Sequence, residues 1–173
     1  KVALAICSEL FNEYGDLPRD SVGGKVYTST PYPAGQPIHM HNESSQTHQW
    51  PLKICFHCVT PADEGGETPI VDCRKIYQAL SPELRALFAE KKLMYVRNFT
   101  PGIDVSWQQF FGSEDKREVE RYCRQAGIEF EWKGDDGLQT RTICPAIAIH
   151  PKTNEMVFFN QIQAHHVSCL DPA

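Results

Sequence analysis

Apolar residues recur at helical spacing in four stretches of the sequence, and we predict each stretch as a helix. Their ranges are 2–14, 73–80, 82–91 and 114–126. Asp72 and Ser113 are the predicted N-caps of the second and fourth helices, because their side-chain oxygens can accept from N–H groups of the first turn. Pro82 suits the first position of the third helix, and Gly15 and Gly127 are the predicted ends of the first and fourth.

Other stretches combine β-forming residues with alternation of apolar and polar positions, and these we predict as strands. Their ranges are 25–30, 38–43, 51–59, 93–99, 128–132, 138–142, 146–150 and 156–160. Segment 51–59 has the strongest strand pattern. Turns are predicted at Gly65-Gly66, at 134–137 and at 151–154. Short strands with interspersed helices predict an α+β protein built around a mainly antiparallel sheet.

The composition is that of an ordinary globular domain and excludes some partners. The chain has 173 residues, of which 41% are hydrophobic and 23% charged, so one domain can bury its own core. Its formal net charge is −5 and it has no basic block, so no nucleic-acid groove is expected. The apolar runs are too short to span a bilayer, so no membrane partner is expected either.

Cysteine usage and the first residues indicate the compartment. Seven cysteines are scattered along the chain, without the density of a secreted disulfide framework, which predicts reduced thiols in the cytoplasm. No signal peptide is visible. The sequence starts at Lys1 without an initiator methionine, in what reads as the middle of a helix, so we expect it to begin inside a longer chain.

Cys55 and Cys58 have the spacing of half a zinc site. No second Cys-x-x-Cys completes it, and positions i and i+3 of a strand face opposite sides. Buried apolar thiols are therefore the better interpretation, and a zinc protein that uses nearby histidines is the alternative.

The candidate chemistry lies in segment 38–43. In an extended segment His41 and Glu43 share one face, so they can present an imidazole and a carboxylate to one metal ion. With a second histidine they would complete the set typical of non-haem Fe(II) oxygenases. A His-x-Glu pair also occurs by chance. His39 lies on the same face as His41 and Glu43, and it is either a competing ligand or a half-buried strand residue. His48 lies in a polar run and is interpreted as a loop histidine.

Several segments, taken in order, match one family over almost the whole chain. They are 26–30, 41–43, 50–51, 65–70 with Asp72, 95–98 and 159–161. Each is weak alone, but the ordered set is specific. On these residues the chain resembles the taurine dioxygenase and clavaminate synthase-like group of Fe(II)/2-oxoglutarate-dependent oxygenases.

The resemblance implies a double-stranded β-helix (jelly-roll) core with flanking helices that holds Fe(II). His41 and Glu43 match the iron ligands, and Thr68 matches a threonine that helps to hold 2-oxoglutarate. The implied chemistry couples O₂ and decarboxylation of 2-oxoglutarate to hydroxylation of a substrate C–H bond. Related halogenases have a small residue where Glu43 stands, so hydroxylation, desaturation or cyclisation is expected rather than halogenation.

One departure from the family pattern concerns the end of the chain. Family members carry the second iron histidine and the arginine for 2-oxoglutarate in a late His-Gly/Ser-Arg segment, and no segment here matches it. We therefore expect residues 1–173 to be a single partial oxygenase domain, the N-terminal and central portion of a larger enzyme, with the jelly roll incomplete at its C-terminus. The alternative is a non-catalytic jelly-roll binding or scaffold protein without a complete iron site.

The substrate is left open by the sequence. The motif neighbourhood is closer to enzymes of amino-acid and natural-product chemistry than to sulfonate users, which predicts a small-molecule or carrier-tethered amino-acid-like substrate. Arg97, Arg141 and Asn160 are candidate polar residues of the site, although a structural role is the simpler interpretation of each.

Overall fold

The computed structural model describes residues 2–10, 20–29, 38–102 and 105–166. Its helices are α1 Val2–Ile6, α2 Cys73–Ala79, α3 Pro82–Lys91, α4 Trp107–Phe111, α5 Lys116–Ala126 and α6 Ile162–His165. Its strands are β1 Ser21–Gly23, β2 Val26–Tyr27, β3 Leu93–Phe99, β4 Glu129–Lys133, β5 Gly137–Cys144, β6 Ile147–Ile149 and β7 Met156–Phe158. None of the helices in these ranges is long and apolar enough to cross a bilayer.

All strand pairs among the described residues are antiparallel. β1 pairs with β2, β6 pairs with β7, and β5 lies between β3 and β4 in a three-stranded sheet. Helices mixed with antiparallel sheets confirm the α+β prediction. The double-stranded β-helix stays a prediction.

The core lies on one face of the three-stranded sheet. Alternate residues of neighbouring strands point to the same face, which brings Phe99 and Leu138 together as a cross-strand pair. Trp107 from α4 and Val119 and Cys123 from α5 close over them, and all five are at most 2% exposed. α4 and α5 therefore cover this face because their apolar side chains are buried against the apolar side chains of the sheet.

The helix caps were predicted in part. Asp72 accepts from the Arg74 backbone N–H at 3.0 Å, as predicted for α2. Gly127 ends α5 with φ of +66°, the left-handed conformation that glycine adopts without strain. Ser113 is not the cap of α5, because the helix begins later and Asp115 accepts from the Arg117 N–H at 2.8 Å.

Two strand predictions are wrong for the described chain. Residues 38–42 have no regular structure, 43–46 form a turn, and 51–59 form no strand. A β-forming sequence becomes a strand only where a neighbour takes up its backbone hydrogen bonds. The carbonyls of Met40 and Asn42 instead accept from the side-chain amides of Gln163 and Gln161.

The N-terminal predictions hold only in part. Of the predicted helix 2–14, residues 2–6 are helical and residues 7–10 are not. Residues 11–14 and the predicted end at Gly15 lie outside the described residues. Of the predicted strand 25–30, the described residues 25–29 form a strand only in β2. β2 forms a hairpin with β1, which was not predicted. The remaining strands, 93–99 to 156–160, are confirmed with shifts of one or two residues at their ends.

Candidate metal centre

His41 and Glu43 face each other at the start of the turn that follows segment 38–42. Nδ1 of His41 lies 2.8 Å from the carbonyl oxygen of His39. A carbonyl only accepts, so Nδ1 carries the proton and Nε2 of the neutral ring has the free lone pair. That Nε2 lies 3.6 Å from Oε2 of Glu43. Two facing lone-pair donors are stabilised by a positive charge between them, either a proton on Nε2 or a metal ion.

Both side chains of the pair remain reachable from solvent. The His41 side chain is 38% exposed and the Glu43 side chain 21%. A backbone carbonyl that holds the second ring nitrogen is the usual arrangement around a metal-bound histidine, because it fixes the tautomer and the direction of the ring. The pair therefore fits an iron ion chemically, as one imidazole and one carboxylate donor.

No third donor joins the pair within residues 2–10, 20–29, 38–102 and 105–166. These residues contain no group of three or more histidine, cysteine, aspartate or glutamate side chains that could hold a metal ion. His39 contributes its backbone oxygen, and its side chain is exposed. The structure thus brings two candidate donors together, and their role as iron ligands stays a prediction.

The backbone after Glu43 turns sharply. Ser45 N–H donates to the Asn42 carbonyl at 3.2 Å, and Thr47 N–H donates to the Ser44 carbonyl at 3.0 Å. Ser44 has φ of +58°, in the left-handed region that non-glycine residues seldom adopt. The turn leads into the loop that carries His48.

Polar residues from distant parts of the chain support the segment, and the sequence reasoning missed their role. Asn42 contacts the 158–160 backbone, the Cys73 thiol donates to Asn42 Oδ1 at 3.3 Å, and Gln161 N–H donates to the Tyr95 hydroxyl at 3.0 Å. Burial and the nearby Asp72 charge raise the pKa of the Cys73 thiol, which keeps it a donor. The advance signals were the matched segments 41–43, 95–98 and 159–161, which contain Asn42, Tyr95 and Gln161.

Thr68 is not brought to the pair by any contact that the structure shows. It is exposed and lies in segment 65–70, which has no regular structure. Gly65 and Gly66 precede it with φ of +70° and +87°. This backbone suits glycine, but residues 65 and 66 form no regular turn and the bend lies at 63–64. Binding of 2-oxoglutarate by Thr68 stays a prediction.

The other candidate polar residues have structural partners. The Arg97 guanidinium lies 4.8 Å and 4.6 Å from the ring centres of Phe99 and Phe110. Arg141 contacts Gln139 and lies 3.6 Å from Glu131. Asn160 is fully buried and donates to the Ala146 carbonyl at 2.8 Å.

The Cys55 and Cys58 prediction of buried thiols is wrong. Both side chains are exposed, because segment 51–59 forms no strand and packs no face against the core. Neither belongs to a group of three or more metal-binding side chains in the part of the chain that the structure describes.

Comparison with known proteins identifies a matching family and two similar proteins. Residues 5–171 match the family model described as taurine catabolism dioxygenase TauD, TfdA family. The chain is 37% identical over 170 residues to the dapdiamide synthesis protein DdaC of Enterobacter agglomerans, across 98% of this chain and 52% of that protein. It is 33% identical over 167 residues to the clavaminate synthase-like protein At3g21360 of Arabidopsis thaliana, across 91% of this chain and 51% of that protein. The chain thus spans about half the length of the curated relatives it matches.

Proposed function

Because the chain belongs to the taurine catabolism dioxygenase TauD/TfdA family, we propose that its natural protein is an Fe(II)- and 2-oxoglutarate-dependent oxygenase with His41 and Glu43 as two protein ligands of the iron. The observation that carries the proposal is the facing pair, with Nε2 and Oε2 separated by 3.6 Å and Nδ1 held by a backbone carbonyl. Bound iron would supply the coupled chemistry of O₂ and 2-oxoglutarate.

In that reaction the residues of this chain would hold the iron ion and orient 2-oxoglutarate. His41 offers Nε2 because the His39 carbonyl holds the proton on Nδ1. Glu43 offers one negative charge and fills a ligand position with carboxylate oxygen, which favours hydroxylation over halogenation. Thr68 is the proposed contact for the 2-oxoglutarate carboxylate, through its hydroxyl group.

The proposed substrate is an amino acid or a natural-product intermediate, free or tethered to a carrier protein. Support comes from the 37% identical relative, which is named for dapdiamide synthesis. The proposed location is the cytoplasm, and the proposed core is a jelly roll to which the antiparallel sheets of this chain contribute.

Anaerobic titration of the natural full-length protein with Fe(II) and 2-oxoglutarate tests the proposal. We expect a weak visible charge-transfer band from the iron chelate of 2-oxoglutarate. His41→Ala and Glu43→Ala should each abolish this band, because each removes a direct ligand. Both variants should also consume less 2-oxoglutarate than the wild type under aerobic conditions.

His39→Ala is the matched control, since it removes a neighbouring exposed imidazole and leaves the backbone oxygen that holds His41. It should keep the band. A band lost in His39→Ala but kept in His41→Ala would reverse the ligand assignment. A wild-type protein with no band would refute the oxygenase and favour the binding or scaffold alternative.

A further inference from the structure

The residue between the two proposed ligands is held from both its side chain and its backbone. Asn42 Nδ2 lies 3.0 Å from the Asn160 carbonyl oxygen and 3.5 Å from that of Phe158. In the opposite direction, Gln161 Nε2 donates to the Asn42 carbonyl oxygen at 2.6 Å. These three partners are separated from Asn42 by 116 to 119 positions in the sequence. Each of the two distant segments therefore donates one side-chain amide to the backbone of the other: Asn42 donates to residue 160, and Gln161 donates to residue 42.

The C-terminal half of this arrangement is buried and fully engaged. Asn160 is 0% exposed and Gln161 8%. Asn160 Nδ2 donates to the Ala146 carbonyl at 2.8 Å, and its Oδ1 accepts from the Ile162 N–H at 3.1 Å. Burying an amide is favourable only when its polar atoms find partners. The Asn160 side chain therefore fixes the backbone between β7 and α6, from which the other contacts project.

Further contacts hold the same two segments. Gln163 Nε2 donates to the Met40 carbonyl, one position before His41. The Cys73 thiol at the start of α2 donates to Asn42 Oδ1 at 3.3 Å. The Tyr95 hydroxyl on β3 accepts from the Gln161 N–H at 3.0 Å. The Asn42 side-chain amide has carbonyl acceptors on one side and a thiol donor on the other. These partners also identify which of its two terminal atoms is nitrogen and which is oxygen.

We propose that Asn42, Asn160 and Gln161 form a positioning clasp that sets the distance and direction of His41 and Glu43 for metal binding. The metal-binding part of this inference rests on the proposed function. The three residues are positioning residues, because they act through the backbone of residue 42 and touch no reacting atom.

The clasp takes the place of strand pairing. A ligand pair on a paired strand is aimed by the hydrogen-bond ladder, but segment 38–42 forms no strand. The Gln161 contact fixes the peptide plane between residues 42 and 43, and the Asn42 side-chain contacts fix the position of its Cα. The Gln163 contact fixes the plane between residues 40 and 41. His41 and Glu43 are attached to these groups, so the loss of a single amide contact changes the distance between Nε2 and Oε2.

Gln161→Met in the natural full-length protein is the test, because it keeps the length of the side chain and removes the donor to Asn42. Gln139→Met is the matched control, since it removes the amide that donates to Asn98 Oδ1 at 2.6 Å on another face of the sheet. Asn42→Ala is the second variant, for the case that Gln161→Met does not fold. Two readouts are compared: hydrogen exchange of residues 38–46 without metal, and the dissociation constant for Co(II), a redox-stable probe, from its visible absorption.

We expect Gln161→Met to speed exchange in 38–46 and to weaken Co(II) binding by about tenfold, the scale seen when groups that orient ligands are lost. Gln139→Met should change neither readout, even if it lowers the melting temperature. Unchanged exchange in Gln161→Met would overturn the clasp. Faster exchange with unchanged Co(II) affinity would overturn its positioning role. A wild-type protein that binds no Co(II) would refute the proposed function, and the exchange readout would still decide the clasp.

Discussion

At the scale of single residues, Asp72 binds the Arg74 guanidinium, and Arg74 connects α2 to the β6–β7 hairpin. The Asp72 carboxylate accepts from Arg74 Nε and Nη2 at 2.9 Å, and Arg74 Nη1 donates to Glu155 at 3.0 Å. The hydrogen bonds that Asp72 accepts lower its pKa from 3.8 to about 2. The bonds from the Arg74 side chain have the largest effect, and the bond from the Arg74 backbone N–H has the next largest. The cap is therefore charged over the whole neutral and mildly acidic range.

The lowered pKa of Asp72 predicts a loss of stability in acid. A carboxyl group with a lower pKa in the folded state stabilises the fold above its unfolded value, and that contribution is lost as the pH falls from about 3.8 to about 2. Asp72→Asn should make the free energy of unfolding less dependent on pH in this window. Urea unfolding at a series of pH values measures the slope.

Arg74→Gln is the matched variant, because it removes the partner that lowers the pKa while it keeps Asp72. It should flatten the same part of the curve. Equal slopes in the wild type and both variants would show that the Asp72–Arg74 contact has no share in acid unfolding.

At the scale of elements, α5 is bound to the sheet by two small buried residues and by polar contacts at the rim. Val119 is 1% exposed and Cys123 0%. Glu120 accepts from Trp132 Nε1 at 3.0 Å and from Arg124 Nη2 at 2.8 Å. One face of the helix therefore packs on the core and the other remains charged, as its sequence pattern predicts.

Val119→Ala should lower the free energy of unfolding by about 2 kcal/mol, because it removes buried methyl groups and leaves a cavity beneath the helix. Arg121→Ala, on the exposed side of the same helix, should change it by less than about 0.5 kcal/mol. Urea denaturation of the three proteins measures both. Equal effects of the two substitutions would contradict the observed packing of α5.

At the scale of the whole molecule, the candidate centre depends on segments that meet only in the folded chain. Tyr95 on β3, Cys73 at the start of α2 and Gln161 before α6 all contact the support of the His41 segment. α2 also packs against β7. Side-chain hydrogen bonds around residue 42 therefore connect the three-stranded sheet with the β6–β7 hairpin, and these two sheets share no ladder.

Tyr95→Phe should cost about 1–3 kcal/mol of unfolding free energy, because the buried Gln161 N–H loses its acceptor. Tyr77→Phe is the control. Its ring lies 5.0 Å from the Arg85 guanidinium, and the substitution keeps that ring contact. Chemical denaturation should separate the two variants clearly. Matching stabilities would show that the Tyr95 hydroxyl contributes nothing to the link between β3 and the C-terminal segment.

The sequence by itself determined most of the helices and strands from residue 72 onward, although it did not predict the short helices α4 and α6. In α2, α5 and β3–β5 the local pattern and the tertiary partner agree: apolar stripes meet apolar strands, and Asp72 and Gly127 have the side chains that helix ends require. It also determined the His41–Glu43 pair, because residues two positions apart stay close in an extended or turning backbone. Family membership followed from the ordered motifs.

Only the tertiary structure decided what holds that pair. Segments 38–43 and 51–59 have strand-forming sequences, but strand formation depends on a partner that local sequence does not specify, and in the described chain neither segment forms a strand. Asn42 and Gln161 are ordinary amides in the sequence. They become reciprocal partners because folding brings together positions 119 residues apart, and no local pattern records a contact at that separation.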